Sequence, residues 1–332
     1  MKNGLAIKLK NNIYKNLIHI LFLIIFLVFS SYLFLDIDKR FPDLQNYKNV
    51  ILETSLYGIQ FLDGSLGTLS IIFREPAWHL LVLIYSIFSY DSIYFIYTVS
   101  AFSIFIFSKF TLDHTKNPIW IIFLLNPMFI DLVLSQIRSA LAMSLLLLAY
   151  TIKKPVLKII LSISATLVHS SMFIVLGIYM ISIYLARIKF HTQKNINQLL
   201  KVFTTLMIAI VLALIISFGL DIILNFLGDR RFGNQEGSAS VSFVFFWFVS
   251  GLLILFGKFK VNSLNNQWMV YFTSLMFTMA IFMAIFSAPS QRFIAFAIPI
   301  FLSCISFCQM SVKILIFILF IIQTSIQFYY WL

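Results

Sequence analysis

Charge is scarce in this sequence. Of its 332 residues only 11% are Asp, Glu, Lys or Arg, and 61% are hydrophobic. A soluble globular chain carries about 25% charged and 45–50% apolar residues, so the shortage excludes an ordinary water-facing surface. Cysteine is nearly missing as well. Cys304 and Cys308 are the only two and stand four apart in an apolar run. That excludes a disulfide framework and reads as a pair of small packing residues. No His-x-x-x-His, His-Glu-x-x-His or Cys-x-x-Cys spacing occurs, and no glycine-rich phosphate loop. Metal-centred chemistry and soluble nucleotide-sugar transfer therefore have no motif to rest on. Polar alternation is absent too: Leu145 to Leu148 and Ile314 to Phe320 are unbroken apolar runs, which excludes a β-barrel. There is no internal repeat, low-complexity linker or soluble domain.

What the sequence has is apolar runs of 15 to 25 residues, the length a helix needs to cross a bilayer. Backbone groups in hydrocarbon must bond within their own segment, so helices are the expected spanning element. The pattern predicts an all-α, polytopic transmembrane bundle forming one domain over 1–332. It has about eleven spans, near 14–35, 91–108, 118–134, 137–152, 155–168, 171–186, 202–226, 241–257, 267–287, 293–309 and 312–331. The first run, Leu17 to Leu35, is too long for a signal-peptide core and has no small-residue cleavage site after it, so it counts as a span.

Lysines set the orientation. Lys2, Lys8, Lys10 and Lys15 precede the first span and predict a cytoplasmic N-terminus. Lys153, Lys154 and Lys158 mark another cytoplasmic loop, as do Arg187, Lys189, Lys194 and Lys201, and then Lys258 with Lys260. Alternation places Gln136–Arg138, His169–Ser170, 228–240 and 290–292 on the outer side. The stretch from Pro76 to Tyr90 breaks the pattern if it crosses, because Lys109, Lys116 and Lys153 to Lys158 would then face outward. A re-entrant or interfacial helix on the outer side, within an outer segment covering 36–90, keeps the rule; Pro76 suits its first turn. The alternative is an ordinary span with a local exception to the rule.

The net charge of +12 would suggest nucleic acid on a soluble protein. Here most of it lies in short loops between apolar runs, so topology explains it and no nucleic-acid partner is expected. The two basic residue types are sorted. Of 17 lysines only Lys39 and Lys48 fall on the outer side; of 7 arginines only Arg187 falls inside. The positive-inside tendency treats Lys and Arg alike, so it accounts for the lysines and not for outer Arg40, Arg74, Arg138, Arg230, Arg231 and Arg292. Arginine's planar, permanently charged fork suits bidentate recognition of phosphate or carboxylate. Arg138 and Arg292 each sit where a loop meets an apolar run, behind Gln136 and Gln291, where ionisable groups are costly and usually functional. A snorkelling arginine at the interface is the plainer reading of any single one.

Between Asp36 and Glu75 lie six of the twelve acidic residues, with Arg40, Arg74 and five aromatic residues. Carboxylates, arginines and ring faces together suit sugar binding, and the same mixture also makes a solvated loop. Asp38, Arg40, Asp43 and Tyr47, just past the first span, stand out, as do Arg74 and Glu75, which open the outer helix. His169, followed by two serines, can deprotonate a sugar hydroxyl, hydrogen-bond a lipid pyrophosphate, or be satisfied by a neighbouring helix. His79 is placed to lie near it. Asp131 is a candidate partner for an arginine, and Asn126-Pro127 predicts a kink.

These residues resemble the EpsG family of exopolysaccharide polymerases, a branch of the Wzy-like O-antigen and capsule polymerases. The resemblance is carried by Asp36 to Asp43 with Tyr47; by Arg74-Glu75-Pro76-Ala77-Trp78-His79-Leu80-Leu81, similar to Glu-Pro-Gly-Tyr-x-Leu-Leu; by Gln136-Ile137-Arg138-Ser139-Ala140-Leu141-Ala142, similar to Gln-x-Arg-x-x-x-Ala; and by His169-Ser170-Ser171, similar to His-x-Ser. Gln291-Arg292-Phe293 is a looser match. Ala77-Trp78 replaces the usual Gly-aromatic pair. The resemblance implies transfer of a growing glycan from undecaprenyl pyrophosphate to the terminal hydroxyl of a new lipid-linked repeat unit, at the outer face of a bacterial cytoplasmic membrane. It implies no need for nucleotide or metal. His169, Asp38 or Glu75 would act as base; Arg138 and Arg292, helped by Arg40, Arg74, Arg230 and Arg231, would hold the leaving pyrophosphate. Asp43, Tyr47, Gln136 and Gln291 would bind substrate. A chain-length regulator is a partner the resemblance allows and the sequence does not name.

Two other function classes compete. A lipid-linked oligosaccharide flippase predicts paired repeats and charges on both sides. A ligase or membrane acyltransferase predicts a larger late outer loop than 228–240.

Overall fold

A computed structural model describes residues 2–33, 42–58, 74–89, 91–115, 117–188, 194–226, 240–257, 264–286 and 288–331. Among them all regular structure is helical, with no strand. The chain divides into two compact units, 1–62 with 76–169, and 63–75 with 170–332.

The first unit contains α1 (Lys2–Leu33), α2 (Pro42–Tyr57), α3 (Pro76–Ser86), α4 (Ser92–His114), a 3-10 helix (Pro118–Leu125), α5 (Pro127–Leu134), α6 (Ile137–Thr151) and α7 (Pro155–Val168). Local chemistry sets the boundaries. The Asp91 carboxylate accepts from the Ile93 amide at 2.8 Å and starts α4. Asn117-Pro118 and Asn126-Pro127 use one device twice: the Asn side chain caps the amide two residues on, and Pro fills the first helical position. Each such signal also ends the preceding element. The expected span over 118–134 is accordingly two pieces, one of them 3-10, and α5 meets α6 at a 100° bend.

Helices α1 and α4 pack antiparallel. Lys15 Nζ donates to the Leu112 carbonyl at 2.8 Å, and the His19 ring lies 5.2 Å from Phe105. His19 Nε2 is 2.7 Å from Ser108 Oγ, and that hydroxyl already donates to the Ile104 carbonyl at 2.6 Å. With its one hydrogen committed, Ser108 accepts, so the histidine donates from Nε2. This register brings the far ends of α1 and α4 to the same end of the pair. The chain between them, including α2 and α3, therefore leaves and returns on one side.

The second unit contains α8 (Met172–Arg187), α9 (Lys194–Phe226), α10 (Val241–Phe256), α11 (Leu264–Ile285), α12 (Gln291–Ile305) and α13 (Met310–Trp331). Helix α11 is its hub: α8, α9, α10 and α12 all pack on it, and 83% of its apolar window is buried. Close approach is possible because Gly251 faces Phe277, where an added methyl would lie 3.2 Å from the Phe277 Cβ, and Ser274 donates to the Gly251 carbonyl at 2.9 Å. Small residues and interhelical hydroxyl bonds are the usual means of packing helices where hydrocarbon surrounds them. Cys304 and Cys308 are free and buried.

Among the described residues five helical segments are long and apolar enough to cross a membrane: Ile13–Ser30, Ser92–His114, Ile196–Gly219, Asn266–Ile285 and Met310–Tyr329, with α5 and α6 as a sixth if the bent pair counts as one. The about eleven spans expected from sequence are not reached. The apolar helices α3, α7, α8, α10 and α12 are only 11 to 16 residues long, about 16–24 Å at 1.5 Å per residue, against a hydrocarbon core of about 30 Å. Apolar side chains also point outward. Leu17, Ile20, Leu21 and Ile24 on α1 are more than half exposed. On a soluble protein such a stripe would be an association surface; against lipid it faces its matching solvent.

Candidate functional site

The first unit gathers one group of the expected residues. Arg138 is the second residue of α6, directly past the 100° bend. It is half-buried, and its guanidinium carbon lies 5.0 Å above the Tyr47 ring, a cation–π distance. Tyr47 is buried on α2 and stands edge-on to Trp78 at 6.0 Å, which in turn meets Phe95 at 5.3 Å. Trp78 and Phe95 are fully or nearly fully buried, so the tyrosine under the arginine rests on packed rings from α3 and α4.

Gln136 precedes α6 and does not cap it: no side chain caps this end. Its amide nitrogen turns back to donate to Asp131 Oδ2 at 3.0 Å, and its Oε1 is buried with no hydrogen-bond partner. Asp131, expected to partner an arginine, thus accepts from Gln136. The first amides of a helix lack intrahelical partners and carry the positive end of the dipole. A cation at the second position of an uncapped helix is unfavourable there unless an anion joins it. Backbone amides, a guanidinium and an unsatisfied Gln136 carbonyl together suit an anion that carries a donor nearby.

Other residues of this unit lie differently. His169 is buried at the C-terminal end of α7, where its amide donates to the Ala165 carbonyl at 3.0 Å. The His79 Nδ1 lies 3.1 Å from Thr54 Oγ1 on α2. Asp43 falls in the first turn of α2.

In the second unit, Glu75 is 3% exposed and has φ +61°. It is the only non-glycine with positive φ among the described residues, and it stands before a proline, which further narrows its backbone choices. Its Oε1 accepts from the Ser170 amide at 3.4 Å, at the start of α8, where a carboxylate is favourable. Strained, buried residues concentrate at functional sites. Arg74 beside it is half-buried. Arg292 is the second residue of α12, as Arg138 is of α6, and α12 also has no side-chain cap. There Arg292 and Gln291 are exposed. Ser290, at the cap position, is fully buried with its Oγ unpartnered; a serine before Gln-Arg carries no signal in the sequence that would have singled it out.

Asp38, Arg40, Arg230 and Arg231 lie outside the described residues. Among the described residues no three His, Cys, Asp or Glu side chains gather as a metal site would require. No known family model, curated protein or solved structure matches this chain.

Proposed function

We propose that this protein is an integral membrane glycosyltransferase that polymerises undecaprenyl-pyrophosphate-linked repeat units at the outer face of the bacterial cytoplasmic membrane. The observation that carries the reading is Arg138 on the uncapped first turn of α6, behind a broken helix and over the buried Tyr47. That arrangement suits a diphosphate. In the reaction the acceptor sugar's hydroxyl oxygen attacks the anomeric carbon of the donor, the bond from that carbon to the phosphate oxygen breaks, and the hydroxyl proton passes to a base. Undecaprenyl pyrophosphate departs with the electron pair, and its developing charge needs the donors that Arg138 and the helix end supply. The buried Gln136 Oε1 is an acceptor for a sugar hydroxyl beside them. Glu75, His169 or Asp38 takes the proton.

The register of α1 against α4 supports the topology behind this reading. With the N-terminus cytoplasmic, α1 delivers 34–91 to the outer side and α4 returns, so Lys15, Lys109 and Asp113 share the inner side. The eleven-residue α3 then stays outside as a short interfacial helix. A cysteine replacing Asp113 in intact cells is expected to resist a membrane-impermeant thiol reagent and to react after the membrane is opened. Labelling in sealed cells would reverse the orientation.

The broken α5–α6 pair also occurs in the working parts of transporters, where half-helix ends face the substrate, so flipping of a lipid-linked oligosaccharide is the second reading. Deleting the protein separates the two. Surface glycan limited to a single repeat unit, in place of a long ladder, is the expected outcome on a gel. Complete loss of surface glycan would favour the transporter.

A further inference from the structure

Away from Arg138, the end of the α1–α4 pair that carries Lys15 holds a cavity of about 360 Å³ lined by Lys15, Asn16, Lys109, Leu112 and Asp113. Lys15 is fixed in place. Its ammonium donates to the Leu112 carbonyl at 2.8 Å and reaches the Thr115 carbonyl at 3.5 Å, satisfying groups the last turn of α4 leaves open. Lys109 is held more loosely. Among the described residues its ion pair is with Asp113, four residues on at 3.2 Å, with both side chains nearly half exposed, a class of contact that adds little and exchanges readily. Two cations and one carboxylate leave the cavity with one net positive charge, and the exposed Asn16 adds neutral amide donors.

Position sharpens the assignment. Lys15 is the last charged residue of α1, and from Leu17 onward the exposed large side chains of that helix are apolar, as Ile13 and Tyr14 are before it; Lys109 is the first charged residue of α4. The cavity therefore lies where both helices pass from apolar to charged, at the depth of lipid headgroups, and basic pockets between crossing helices at that depth hold anionic headgroups. We infer that this cavity binds a singly charged phosphate group, the phosphodiester of an anionic membrane lipid, between Lys109 and Lys15 with Asn16 donating beside them. This site does not depend on the polymerase reading.

The test uses the full-length protein, purified and stripped of lipid, with binding followed by native mass spectrometry. Phosphatidylglycerol is expected to bind about fivefold more tightly than zwitterionic phosphatidylcholine, the effect of one surface charge. K109Q is expected to remove most of that preference. D113N, which frees Lys109 and removes the carboxylate, is expected to raise phosphatidylglycerol affinity by about two- to fivefold, a gain that a folding defect cannot imitate. Inorganic phosphate serves as a competitor. Displacement of the lipid at millimolar phosphate supports the anion site and makes a soluble phosphate its natural occupant; no displacement supports the lipid. Equal affinity for the two lipids, or a D113N protein that binds as wild type does, overturns the inference.

Discussion

Replacing Arg138 with alanine is expected to shorten the surface glycan to single repeat units while the protein stays at wild-type abundance in the membrane. The size of the effect follows from what the side chain does in the proposed reaction. A preorganised donor aimed at developing charge is worth about 10²- to 10³-fold in turnover, enough to erase a long ladder. The cost to the fold is much smaller. Arg138 is half-buried and packs over the Tyr47 ring, and that cation–π contact is worth about 1–2 kcal/mol when partly desolvated. Lysine at the same place keeps the charge and loses the fork that can grip two phosphate oxygens. Arg138→Lys is therefore expected to fail nearly as badly. Full activity in the lysine variant would reduce the role of Arg138 to simple charge, and long chains in the alanine variant at normal abundance would remove Arg138 from the chemistry altogether.

The second large effect is expected at Glu75. A buried carboxylate with φ +61° directly before a proline costs the fold on the order of 1–3 kcal/mol, and its contact with the Ser170 amide at the start of α8 offsets some of that. Glu75→Gln keeps the shape and removes the proton acceptor, and is expected to lower turnover by about 10²- to 10⁴-fold, the range for loss of a general base, with thermal stability close to wild type. Glu75→Gly separates strain from chemistry, because glycine adopts positive φ without penalty. It is expected to be equally inactive and no less stable than the glutamine variant. Parallel assays of His169→Gln show which of the two carries the proton. An active Glu75→Gln enzyme would confine Glu75 to a structural role at the start of α8.

Much of the candidate site was legible from residue types. Gln136 and Arg138 stand out because an arginine on the side that should be poor in positive charge needs a reason, and Tyr47 stands out in the acidic, aromatic stretch after the first span. The rings behind Tyr47 were not legible. Trp78 meets it from α3 and Phe95 backs Trp78 from α4, and no local pattern encodes the mutual register of these helices. The contact of Gln136 with Asp131 was not legible either: it comes from the chain turn at Ser135, where the Ser135 and Gln136 amides both donate to the Asp131 carbonyl at 2.8 and 3.1 Å. Helix type was legible and helix length was not. From 118 to 187 the sequence is nearly continuous in hydrophobicity, so periodicity cannot say where one element ends; the endings come from Asn126-Pro127, the uncapped Gln136 and Lys154-Pro155. The pairing of α1 with α4 depends on Lys15 and His19 meeting residues 97 and 89 positions away, and until that pairing was known those two side chains read only as charge and as a histidine near a cytoplasmic end.

The most direct measurement of the central claim is equilibrium binding of undecaprenyl pyrophosphate to the purified protein in lipid nanodiscs, for wild type and for Arg138→Ala. A diphosphate seated on the α6 N-terminus under Arg138 predicts tight binding to wild type and at least about tenfold weaker binding to the variant, the worth of roughly 1.4 kcal/mol or more from one charge-assisted contact. Equal binding by both proteins, each folded and carrying the same amount of lipid, would place the diphosphate elsewhere and contradict the account.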